Sequence, residues 1–97
     1  MRRLGSLDGN GKLVVDDEPL TSVDYQVDVW EDSPGGWKSA EGVLTGEMSA
    51  LFKALKATST TIVIESGKAM RVVIRTLSAE HPLARAEFEV SGPVPGF

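Results

Sequence analysis

Residues 23–30, VDYQVDVW, alternate without a break: Val23, Tyr25, Val27 and Val29 share one parity, and Asp24, Gln26, Asp28 and Trp30 share the other. Successive side chains of a strand point to opposite faces, so this period of two predicts a half-buried β-strand with an apolar inner face. The same pattern returns near the end of the chain, where Ala84, Ala86, Phe88 and Val90 alternate with Arg85, Glu87 and Glu89. Between them, two β-branched runs flank Gly67 and place Ile62, Ile64, Met70, Val72 and Ile74 on one face, leaving Arg71, Val73 and Arg75 outside. Such faces are buried by pairing strand with strand.

Turn chemistry then sets the expected pairings. The segment Glu31–Gly36, EDSPGG, carries a proline and paired glycines, and predicts a hairpin to a strand over Trp37–Leu44. Opposing Trp30 to Trp37 pairs Val29 with Lys38, Val27 with Ala40, Tyr25 with Gly42 and Val23 with Leu44 on the inner face. On the outer face the two indoles then meet beside carboxylates. A one-residue slip sends the apolar set to opposite faces, so the pattern disfavours it. Around Gly67 two loops remain compatible. A loop of Glu65, Ser66 and Gly67 pairs Ile62 with Met70 and Ile64 with Lys68, whereas one of Ser66, Gly67 and Lys68 pairs Ile64 with Met70.

The middle of the chain changes period. Met48, Leu51, Phe52 and Leu55 stand at i, i+3, i+4 and i+7, which predicts a helix over about Glu47–Lys56 with those four side chains buried. At the start, a Gly-rich turn leads to a short strand over Lys12–Val15, which Pro19 is expected to end. The fold class expected is therefore mainly β (α+β): a small antiparallel β-barrel or strongly twisted sheet of five to six strands, with one short helix between strands 3 and 4. An oligonucleotide-binding barrel is similar in outline, with a helix after its third strand, but this chain has one strand too many.

Ninety-seven residues, 41% of them hydrophobic, suit one domain over 1–97, with 1–11 and 91–97 as its poorly ordered termini. The longest apolar runs, such as TIVI and RVVI, fall far short of the roughly 20 residues of a membrane span, and no secretory signal pattern opens the chain. A cytoplasmic, bacterial protein with no membrane partner is the expectation. The chain has no cysteine, which removes disulfides and thiolate ligands. A formal charge of -4 disfavours nucleic acid as a bulk electrostatic partner.

Two surfaces are candidates for function. Trp30 and Trp37, flanked by Asp28 and Glu41, would receive a cationic or proline-rich protein or peptide segment, because aromatic rings give contact area at low entropic cost and attract cations. The same pair also reads as a hairpin-stabilising contact or a cover for the core. Arg71, Arg75 and Arg85 would form a phosphate-binding patch for single-stranded nucleic acid, or an ordinary solvated face. The spacing of Ser6, Asp8, Asn10, Gly11 and Asp17 fits a calcium loop poorly, lacking the first Asp and the final Glu, and reads as a turn. His81 is the single histidine and no assembled acid, base or nucleophile set is visible, so neither a catalytic residue nor a metal or cofactor site is expected. The leading expectation is a non-catalytic binding or adaptor module, with an OB-like single-stranded nucleic-acid-binding domain as the alternative.

Overall fold

The computed structural model describes residues 2–32, 38–80 and 83–96. Seven elements follow in chain order: β1 (Arg2–Val15), β2 (Glu18–Glu31), β3 (Lys38–Glu47), α1 (Met48–Lys56), β4 (Thr60–Val63), β5 (Ala69–Glu80) and β6 (Leu83–Val90). All six ladders are antiparallel, in the order β1-β2-β3-β6-β5-β4, with β4 returning to β1, so the sheet closes into a ring. The mainly β architecture, with one short helix between strands 3 and 4, is the one expected. It consists of two three-strand meanders joined by a helical crossover.

The alternating positions fill the interior. Val23, Tyr25, Val27 and Val29 of β2 are buried against Leu13, Leu44, Ile62, Met70, Val72, Ala84, Ala86 and Phe88. The partly buried Leu4, Leu7, Val90 and Val94 extend this cluster. The hairpin β4–β5 takes the first of the two loops anticipated. Ile62 pairs with Met70, the Ile64 amide donates to the Lys68 carbonyl at 2.9 Å, and Gly67 is left-handed at φ 89°.

Three expectations are corrected. First, β1 starts at Arg2 rather than Lys12 and pairs with β2 along its whole length. Its first half has few apolar residues, so its strand character comes from the ladder to β2 and not from its own pattern. The turn is Asp16-Asp17, both at positive φ as a two-residue primed turn requires, and Pro19 lies inside β2. A ladder irregularity between Leu13 and Val14 sits beside Pro19, near the strand start where a missing donor is tolerated.

Second, the β2–β3 register lies two residues from the one expected. Trp30 pairs with Ser39, Val29 with Ala40, Val27 with Gly42 and Tyr25 with Leu44. A shift of two preserves every face, which is why alternation alone does not detect it. Gly42 supplies the physical reason. A Cβ there would stand 2.1 Å from the Gln26 carbonyl oxygen, so the backbones approach more closely at this point than any side chain permits.

Third, the helix forms but presents another face. Ala50, Leu51 and Ala54 are buried, whereas Phe52 is 48% exposed, Leu55 40% and Met48 38%. α1 packs against β5, β3 and β6. Two alanines beside Leu51 let it approach the sheet closely, and the bulkier stripe is left outside. Only Leu51 belongs to both stripes. The Lys56 ammonium lies 4.4 Å from the centre of the Phe52 ring. At the C-terminal end the Thr60 hydroxyl and the Ala57 amide both donate to the Ala54 carbonyl, which stops the helix.

Candidate functional site

The site follows from the observed registers. Ser6 on β1 faces Asp28 on β2, Asp28 faces Glu41 on β3, Glu41 faces Glu89 on β6, and Glu89 faces Val73 on β5. Neighbouring strands are about 4.8 Å apart, so three outward carboxylates stand side by side across three strands. Like charges directly opposite one another are unfavourable. Two of the three are neutralised within the chain. Arg3 Nη2 donates to Asp28 Oδ1 at 2.8 Å, and the Arg75 guanidinium pairs with Glu89. Among the described residues, no hydrogen bond or salt bridge engages Glu41 in the middle.

Trp30 stands on the same outer face, two residues along β2 from Asp28, and is half-buried. It lines a groove of about 350 Å³ with Lys38, Ser39, Glu41, Glu89 and Val90. An adjoining groove of about 370 Å³ is lined by Asp28, Glu41, Arg75, Glu87 and Glu89. Glu41 and Glu89 belong to both, so an aromatic wall and the carboxylate row form one continuous surface.

Of the binding residues expected, the structure brings together Trp30, Asp28 and Glu41. Trp37 lies outside the described residues, and the cross-strand partner of Trp30 is Ser39. The two-residue shift in register is what sets Asp28 opposite Glu41. Glu31, by contrast, is buried on the inner parity at the ring's end, where Arg2 Nη2 donates to its Oε1 at 3.3 Å. Period two turns Glu89 outward but carries no signal that places β6 beside β3. No periodic signal marks Arg3, whose contact with Asp28 follows from the β1–β2 ladder.

The three arginines have different neighbours, and Arg75 and Arg85 line different grooves. Arg71 faces Thr61 on the β4 side, Arg75 is held by Glu89, and Arg85 lies opposite Thr45 and Ser78. Arg85 lines a larger polar groove of about 700 Å³ with Asp8, Asn10, Asp24, Tyr25, Gln26 and Thr45. Within it, the Asn10 side-chain amide donates to Asp24 Oδ1 at 3.1 Å. Burial, followed by the negative charges of Glu65 and Asp8, raises the Tyr25 hydroxyl above the usual tyrosine value, so it stays protonated.

His81 lies outside the described residues. Among the described residues no group of three or more Asp, Glu or His is placed to hold a metal ion. The residues of the calcium-loop spacing run along β1 and its turn instead of folding around a centre. No described helix is long and apolar enough to cross a membrane. In comparisons with known proteins, no family model, no curated protein and no solved structure matches the chain.

Proposed function

We propose that the chain is a non-catalytic binding module that receives a cationic segment of a partner protein on the outer face of β2, β3 and β6. The observation carrying this reading is Glu41, a carboxylate that no hydrogen bond or salt bridge engages among the described residues, between two arginine-neutralised carboxylates and beside a half-buried tryptophan. A guanidinium arriving from outside would relieve the repulsion within the row and lie against the indole. Both gains are absent until the partner binds.

An NMR titration of the 15N-labelled chain with the peptide Gly-Arg-Gly-Arg-Gly tests it. The Trp30 indole N–H and the Glu41 amide shift together, and the shifts weaken with added salt. Trp30→Ala lowers affinity about tenfold or more, as loss of a central aromatic anchor does. Glu41→Gln lowers it about two- to fivefold, as expected for a solvent-exposed pair. Equal binding by wild type and both variants would sink the proposal. The nucleic-acid reading has weaker support, since Arg75 is already paired with Glu89 and Arg85 shares its groove with Asp8 and Asp24.

A further inference from the structure

The ring closes through a short seam. Only Lys12–Val15 pair with Thr60–Val63, whereas the β1–β2 ladder runs on to Arg2. Beyond the seam the β4–β5 loop turns back at the level of Asn10, whose amide donates to Glu65 Oε1 at 3.3 Å. That amide therefore points away from β2, and by strand alternation the main-chain groups of Asp8 and Ser6 point the same way. Among the described residues, no backbone hydrogen bond from a turn, loop or the C-terminal segment reaches them. The corresponding overhang on β5 is different, because α1 packs against that strand. Among the described strands and helix, β1 packs mainly against β2 and β4.

We infer that the edge of β1 from Ser6 to Asn10 accepts an extended segment of a partner protein as an added strand, and that this segment alternates apolar and basic side chains. An open row of main-chain donors and acceptors is the template for such strand addition. The side-chain chemistry follows from the strand already there. On the inner face the added strand lies beside the partly buried Leu7, so its inward residues are apolar. On the outer face it lies beside Asp8, with Asp24 one strand further on, so its outward residues are basic. The ladder irregularity between Arg3 and Gly5 ends the available edge on one side, and Glu65 ends it on the other. The fit is to about five residues.

A second copy of this chain fits poorly. The antiparallel self-pairing that uses Ser6, Asp8 and Asn10 together sets Asp8 directly opposite its own counterpart, a like-charge pair. The edge lies on β1, away from the groove of Trp30, so neither proposal depends on the other.

The test adds the peptide acetyl-Lys-Val-Lys-Val-Lys-Val-Lys-amide to the 15N-labelled chain. The amides of Ser6 and Asp8 shift and exchange with deuterium at least tenfold more slowly. N-methylation of the peptide at the alternate residues facing β1 abolishes binding, whereas methylation at the other parity leaves it. Asp8→Asn weakens binding a fewfold without removing the new protection. The inference is overturned if no amide protection appears, if shifts are confined to Trp30 and Glu41, or if the two methylation patterns act alike. Protection of the same amides by concentration-dependent dimerisation without peptide would assign the edge to a second copy, and would equally overturn it.

Discussion

The wall formed by β2, β3 and β6 and the helix α1 bury their side chains by different rules. In the wall, period two fixes which residues face inward, and close backbone approach at Gly42 fixes how the strands align. On α1 the inward face consists of Ala50, Leu51 and Ala54, and the larger Met48, Phe52 and Leu55 stay partly exposed. The difference teaches that a strand's inner face is set by its own geometry, whereas a helix can turn about its axis until its contact with the sheet is closest. Bulk does not decide which stripe is buried.

Substitutions can break this comparison or sharpen it. Gly42→Ala should be the most damaging, because the atom its new methyl meets is main chain and cannot move aside. A loss of about 3 kcal/mol or more in urea unfolding is expected, at the upper end of overpacking costs. An unchanged midpoint would mean that the strands are not held at the observed register. Leu51→Ala comes next, at about 2 to 5 kcal/mol for a fully buried leucine. Phe52→Ala should cost about 1 kcal/mol or less, since the ring is already half in solvent and forfeits mainly its contact with Lys56. Reversal of that order would restore the stripe predicted by helical periodicity and reject the observed rotation of α1.

How far the sequence was legible divides along the same line. Alternation located the strands containing Val27, Ile62, Val72 and Phe88 and oriented each of them correctly. It did not reveal β1 between Arg2 and Gly11, where strand structure is imposed by a neighbour and few apolar residues mark it. Within the candidate site, Trp30, Asp28 and Glu41 were visible as outward residues of a hairpin. Their assembly with Glu89 was not, because it depends on a crossover that carries β6 to the far side of β3. The shift from Trp37 to Ser39 opposite Trp30 was likewise hidden, since it turns on the space beside one glycine and not on any periodic signal.

The two meanders meet along seams of unequal length, seven residue pairs between β3 and β6 but four between β1 and β4. The molecule is thus a wrapped ribbon with a long hem and a short clasp. Undoing the clasp would expose Leu13 and Ile62 while Leu44 and Ala86 stayed covered by the hem, so the shorter seam is the weaker closure of the interior, and it lies directly beside the stretch of the first strand that reaches past β4.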